Sequence, residues 1–251
     1  MILENLVVTW IFFTIGFLIA KKYDRLSIID TFWGLSFMVI AGYNLIVGNK
    51  NIGALIVTGL VFIWGIRLAS HISIRNFKKK EDYRYQNMRD KWDNVWKTAY
   101  FRVFLLQGIL MLIIAYPIIV INNAKNINLN IYFLLGLILW IVGFLFETIG
   151  DYQLKEFIKN RTDSKKIMTK GLWSYTRHPN YFGEVTMWWG IFIIVFSLTK
   201  NIITVISPIL ITFLILKVSG VPLLEEKYKN REGFKEYKER TNKFFPWFPK
   251  K

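Results

Sequence analysis

The chain runs to 251 residues, 53% of them hydrophobic, and its apolar runs are too long and too numerous for a single water-soluble core. It has no cysteine, which excludes disulfides, thiolate nucleophiles and cysteine-ligated iron–sulfur clusters. The two histidines, His71 and His178, are too few and too far apart for a conventional metal centre, and no metal is expected.

A membrane helix needs about 20 predominantly apolar residues. In chain order the runs that approach this are Leu6 to Ala20, Ile28 to Val47, Ile52 to Ala69, Phe101 to Ile121, Leu129 to Ile149, Tyr181 to Leu198 and Ile202 to Leu216. They predict an all-α, polytopic membrane helical bundle of about seven transmembrane helices. The first run lacks a small-residue cleavage site and is followed directly by further spans, so it reads as an anchor rather than a removed signal peptide.

The connections alternate between nearly uncharged and strongly basic. Asn49 to Asn51, Asn122 to Asn128 and Thr199 to Asn201 contribute only Lys50, Lys125 and Lys200, whereas the opposite side collects Lys21, Lys22 and Arg25 and three long basic segments. The positive-inside rule then puts the amino terminus outside and the carboxyl terminus in the cytoplasm. The expected organisation is a single integral membrane domain, residues 1–251, with cytoplasmic loops at 75–99 and 151–180 and a cytoplasmic tail at 217–251. Because the formal charge of +16 follows these loops, anionic membrane lipids or an anionic cofactor account for it better than nucleic acid.

Polar residues at the ends of spans carry the functional expectations. Asp30, in IIDTFWG, either caps its helix or, close to hydrocarbon, serves as a proton donor or substrate partner. Arg67, His71 and Arg75 share one helical face, and three cationic groups there repel unless carboxylates neutralise them or an anion sits among them; nucleotide and lipid phosphates fit equally. Between Lys78 and Lys97, Tyr85, Met88, Trp92 and Trp96 fall one helical turn apart, which predicts an interfacial helix acting as an anchor or as a wall of the site. Glu147, Asp151 and Lys155 again repeat at i, i+4, i+8, a stripe suited either to pairing with basic residues or to hydroxyls, an amide or a ribose.

The densest signal is GLWSYTRHPNYFGE, from Gly171 to Glu184. Pro179 starts a helix whose free backbone donors reach a polar ligand while the following turns remain in lipid. Asn180 and Glu184 are one turn apart, and Arg177 and His178 stand ready for phosphates. In the tail, Pro246 and Pro249 stop any helix and leave Phe244, Phe245, Trp247 and Phe248 to pack at the membrane surface.

These motifs, together with FETIGDYQL, SGVPLLEEKY, DTFWG and WGIRLASH, resemble the DUF1295 branch of the steroid 5-alpha-reductase superfamily over nearly the whole chain. The resemblance implies an integral membrane reductase with NADPH in a polar cavity open to the cytoplasm and an apolar steroid-like, isoprenoid or lipid enone entering from the bilayer. It implies nicotinamide and ribose contacts at Glu147, Asp151, Asn180 and Glu184, although typical steroid reductases carry asparagine where Glu147 stands. Arg67, Arg75, Lys155, Arg177, His178 and Tyr181 complete the expected cofactor set. A methyltransferase branch shares the RHPxYxG core and the Glu225–Glu226 pair, so S-adenosylmethionine with a lipid or prenylated acceptor is the alternative. DTFWG and WGIRL favour reduction. Asp30, Tyr85 and His71 are the expected catalytic proton donors. The Asn-, Lys- and Ile-rich usage points to a bacterial cytoplasmic membrane.

Overall fold

The computed structural model describes residues 2–77, 81–125, 127–163 and 165–250. The first three residues of the expected interfacial segment, Lys78 to Lys80, lie outside the described residues. Helices dominate, and seven of them are long and apolar enough to cross a membrane. The chain is therefore an all-α polytopic membrane protein. It divides into two compact units, Met1–Leu129 with Leu198–Thr204, and Asn130–Ser197 with Val205–Lys251.

The first unit contains α1 (Ile2–Lys22), α2 (Ile28–Val47), α3 (Ile52–Phe77), α4 (Tyr83–Arg89), α5 (Val95–Ala99), a π-helical segment (Tyr100–Leu105), α6 (Leu106–Ile114) and α7 (Tyr116–Asn123). Helices α2 and α3 pack backbone to backbone, because a Cβ on Gly34 would stand 3.3 Å from the carbonyl oxygen of Gly65. Helices α1 and α2 are joined by a buried amide pair in which the Asn44 amide donates to Asn5 Oδ1 at 2.6 Å and the Asn5 amide donates back at 3.3 Å. Phe13, Phe37 and Phe104 are fully buried, while Leu3, Trp10 and Leu18 on α1 face outward. That inversion is what a helix in lipid permits.

Two expected elements are redrawn here. The fourth span is not Phe101 to Ile121 but the continuous run Val95–Ile114, and the chain breaks at Ala115 before α7. Pro117 explains the break, since its ring and missing N–H fit only the opening turn of a new helix. The interfacial helix through Tyr85, Met88, Trp92 and Trp96 is also not continuous. It stops at Arg89, and a new helix starts at Val95 with Asn94 Oδ1 accepting from the Lys97 amide at 3.0 Å.

The second unit contains α8 (Ile131–Asn160), α9 (Leu172–Tyr175), α10 (Pro179–Thr199), α11 (Ile206–Phe213), a second π-helical segment (Leu214–Val218), α12 (Val221–Tyr228) and α13 (Phe234–Arg240). At 1.5 Å per residue α8 is about 45 Å long, which outruns a hydrocarbon core of about 30 Å. Its two faces differ sharply. Ile131, Leu135, Ile138, Val142, Leu145 and Ile149 are exposed, whereas Gly136, Trp140, Gly143, Glu147, Gly150 and Asp151 are buried. The buried face is a glycine seam against α10: a Cβ on Gly136 would lie 2.8 Å from the carbonyl oxygen of Gly190, and one on Gly143 would lie 2.6 Å from that of Gly183. Glycines seven residues apart recur on the same face, so the two backbones approach closely along their length.

Of the runs that look short in sequence, the sixth is a 21-residue helix, and the seventh lies in a 27-residue helical region, Ile202–Tyr228, built from successive segments with a bend at Ser219 and Gly220. The sixth alone spans about 31 Å, enough to cross.

Candidate functional site

The glycine seam decides what α8 and α10 present to one another at their polar ends. Glu147 and Asp151 lie on the seam face, about 24 and 30 Å along α8 from its start, a length comparable to the thickness of a hydrocarbon core. Both are buried, at 3% and 8% exposure. Gly183 lets α10 close onto the backbone of Glu147, and a Cβ there would collide with that residue's amide nitrogen. One turn earlier, Asn180 donates from Nδ2 to Asp151 Oδ1 at 3.0 Å. Asn180 Oδ1 is buried without a hydrogen-bond donor.

The chain reaches Asn180 through a fixed turn. Gly171 has φ of +63°, a left-handed conformation that glycine adopts without strain. A Cβ there would also lie 2.6 Å from the side-chain nitrogen of Gln153, whose Oε1 accepts from the Leu172 amide at 3.0 Å. Trp173 donates from its indole N–H to the carbonyl of Gly150 at 3.0 Å, which ties the turn to α8 beside Asp151. Tyr237 of α13 donates its hydroxyl to the Trp173 carbonyl at 2.5 Å, and burial pushes that phenol above its ordinary pKa, so it remains a donor.

Arg177 and His178 turn inward. Arg177 is 5% exposed; its Nε donates to Glu225 Oε1 at 2.8 Å and its Nη1 to the carbonyls of Thr241 at 2.6 Å and Lys238 at 3.2 Å. His178 Nε2 lies 3.2 Å from the same Glu225 oxygen, and its Nδ1 is buried without a partner. Burial holds the imidazole below its ordinary pKa, with the neighbouring Glu225 opposing and Arg177 and Lys243 adding to the shift. A carboxylate acceptor at Nε2 places the proton there and leaves Nδ1 as an acceptor. The ring stacks on Tyr181, 5.8 Å between centroids. Glu184 is half-buried one turn beyond Asn180, and Lys155 is exposed on α8.

The first unit holds the remaining expected residues. Asp30, at the start of α2, accepts from the Tyr85 hydroxyl at 2.6 Å and from Arg84 at 2.9 Å, so two sequence candidates 55 residues apart meet. Arg84 is held further by Asp82 at 3.1 Å, and Glu81 accepts from the amides of Leu26 and Ser27 at 2.6 and 2.9 Å. Burial, reinforced by Asp30, raises the Tyr85 pKa well above its ordinary value, so the phenol stays protonated. Arg67 and His71 are half-buried and Arg75 exposed, all on α3. Among the described residues no cluster of metal-ligating side chains occurs. A groove of about 650 Å³ opens along the far end of α8, between Tyr152, Phe157 and Arg161 and the strand of chain through Lys166 and Lys170. Gln153, which holds the turn at Gly171 and Leu172, also lines it, whereas Asn180 and Asp151 do not.

Gln153, Trp173 and Tyr237 carry much of this geometry without having been singled out in the sequence, and Glu225, noted there only for its methyltransferase resemblance, proves to be the partner of Arg177 and His178. Glu225 lies 48 residues from Arg177, and no local pattern links them.

The fold defines a class, an all-α polytopic membrane protein with a buried polar seam. More particularly, the chain belongs to the DUF1295 family, described as a protein of unknown function, whose profile matches residues 16–241. It is similar to 3-oxo-5-alpha-steroid 4-dehydrogenase 1 of Bos taurus, 40% identical over 58 residues, and to the proteins of that name from Mus musculus and Homo sapiens, each 38% identical over 58 residues. The matched segment is 23% of this chain and 23% of the bovine protein, 23% of the mouse protein and 22% of the human one. No solved structure matches.

Proposed function

We propose that this protein is an NADPH-dependent membrane oxidoreductase of the CH–CH class that saturates the conjugated double bond of an apolar steroid-like, isoprenoid or lipid enone. The observation that carries the reading is the orphaned oxygen of Asn180, a buried amide acceptor on a side chain whose donor end is already committed to Asp151. A primary carboxamide, such as a nicotinamide ring bears, offers the N–H this oxygen lacks. Glu147, Asp151 and Glu184 supply carboxylate acceptors for ribose hydroxyls on the same stretch of α8 and α10. The 3-oxo-5-alpha-steroid 4-dehydrogenase name borne by the mammalian relatives supports a CH–CH reaction.

NADPH, when bound, supplies the hydride. Everything else falls to the chain. Asp151 orients Asn180, and the seam at Gly143 and Gly183 fixes the distance between their helices. Arg177 and His178 act through Glu225 to hold the turn on which Asn180 sits. Tyr181 covers the His178 ring, and Lys155 offers an exposed cation one turn beyond Asp151. The proposed proton-donor set remains Asp30, Tyr85 and His71, with the Tyr85 phenol kept protonated by burial. The stripe of Arg67, His71 and Arg75 is read as a binding face for an anion. In this reading the chain is one membrane domain of a bacterial cytoplasmic membrane, with its amino terminus outside and its basic loops and polar seam on the cytoplasmic side.

The test is turnover in proteoliposomes. NADPH should be consumed in the presence of an apolar enone and the saturated ketone should appear in equal amount. Methyl transfer from S-adenosylmethionine to a lipid acceptor, with NADPH untouched, would replace the proposal by the methyltransferase alternative.

A further inference from the structure

The carboxyl-terminal segment from Thr241 to Lys250 is irregular, yet it is held at many points. Phe244 O accepts from the Thr176 hydroxyl at 2.7 Å, Asn242 O accepts from the Arg177 amide at 2.9 Å, and the Trp247 amide donates to Tyr175 O at 3.0 Å. The Lys250 amide donates to Arg240 O at 2.8 Å. The segment is therefore fastened to residues 175–177 of the turn that leads into α10. Its side chains separate into two groups. Phe244 is buried against Phe182, 5.9 Å between ring centroids, whereas Phe245, Trp247 and Phe248 are 72%, 68% and 74% exposed.

Three large aromatic rings projecting from a pinned backbone are costly in water. Their level along the membrane normal follows from their neighbours. Phe182 stands in the first turn of the membrane-crossing α10, and Phe245 lies 6.3 Å from it, centroid to centroid. Tyr175, four residues before that helix begins, packs against Phe248 at 6.1 Å. The exposed rings thus lie level with the first turn of a helix long and apolar enough to span a membrane. Indole and phenyl groups with adjacent exposed lysines, here Lys243 and Lys250, are the composition that the headgroup layer accepts.

We infer that Phe245, Trp247 and Phe248 form an interfacial anchor whose partner is the headgroup layer of an anionic bilayer, and that the anchored segment clamps the turn carrying Thr176, Arg177 and His178. The anchor does not depend on the identity of the cofactor. The backbone bonds that fasten the segment also satisfy several of the polar groups it would carry into the interface. Pro246 and Pro249 keep it from coiling into an independent helix.

The absence of cysteine in the chain makes the test direct. Trp247→Cys and Phe248→Cys, each spin-labelled in nanodiscs containing phosphatidylglycerol, are compared with Lys229→Cys, another exposed position of the same unit. The anchor predicts that labels at 247 and 248 are shielded several-fold from a water-soluble relaxation agent and reached readily by oxygen dissolved in lipid, with weaker shielding in purely zwitterionic discs. Labels as accessible to the aqueous agent as the one at 229 would overturn the anchor. Shielding from both agents, with dipolar broadening between labels, would assign the surface to a second copy of the chain and also overturn it. Shielding independent of lipid charge would overturn the anionic preference. In a separate arm, Trp247→Ser with Phe248→Ser should speed proteolysis at the 171–178 turn in intact nanodiscs, and an unchanged rate would refute the clamp.

Discussion

Two buried polar clusters sit at the ends of membrane helices in this protein, and they are built on opposite terms. Around Asp30 each carboxylate oxygen has a donor, from Tyr85 and from Arg84, and Glu81 places both of its oxygens on backbone amides. Around Asn180 the amide nitrogen donates to Asp151, while Asn180 Oδ1 and His178 Nδ1 are left buried and unsatisfied. A closed network contributes stability and holds elements in place; an open one forgoes stability, and a ligand that supplies the missing donors recovers it. That difference is what supports the proposal that the second cluster receives a ligand.

Substitutions can break that contrast. The largest effect is expected from Arg177→Ala, which removes a 5% exposed guanidinium and strands Glu225; the loss should be about 3–5 kcal/mol, read as a fall in the thermal midpoint of detergent-purified protein. Tyr85→Phe should cost about 1.5–3 kcal/mol, because it removes a donor to a buried carboxylate. No loss there would mean that the first cluster is not closed. Gly183→Ala forces the α8–α10 backbones apart and should cost about 1–3 kcal/mol, seen in the same melt, with a larger loss for Gly183→Leu.

Asn180→Ala should behave differently. It gives up one hydrogen bond but also removes an unsatisfied buried acceptor, so stability should stay within about 1 kcal/mol of the parent. The smallest expected effect is a slope with pH. The folded state lowers the His178 pKa through burial, so the stabilisation is complete above the unfolded value of about 6.5 and declines as pH falls through it toward the folded value. Glu225, Arg177 and Lys243 are the charged groups that act on the ring. His178→Gln should flatten that part of the acid-side melt series, and an unaltered slope would assign it to other groups.

Much of this was legible in the sequence, for identifiable reasons. Seven apolar runs declare seven helices, because runs of about 20 apolar residues cross hydrocarbon as helices, whereas barrel strands need only about 9–11. The i, i+4 placement of Glu147 and Asp151, and of Asn180 and Glu184, depends only on helix geometry, so those pairs could be set on common faces in advance. What escaped required tertiary information. Glu225 reaches Arg177 across 48 residues, and Asp30 reaches Tyr85 across 55. The glycine seam is different: Gly136, Gly143 and Gly150 stand seven apart in plain view, but their meaning appears only with the partner glycines of α10. The inward turn of Arg177 was likewise hidden, since a basic residue at a membrane edge serves a phosphate or a tail carbonyl with the same chemistry.

The most direct test of the central claim is a calorimetric titration of NADPH, NADH and S-adenosylmethionine into the purified protein and its Asn180→Ala variant, both reconstituted in nanodiscs. The account predicts NADPH binding that weakens by about ten- to hundredfold in the variant while its melting temperature holds. Binding of S-adenosylmethionine alone, or NADPH binding that is indifferent to Asn180, would contradict it.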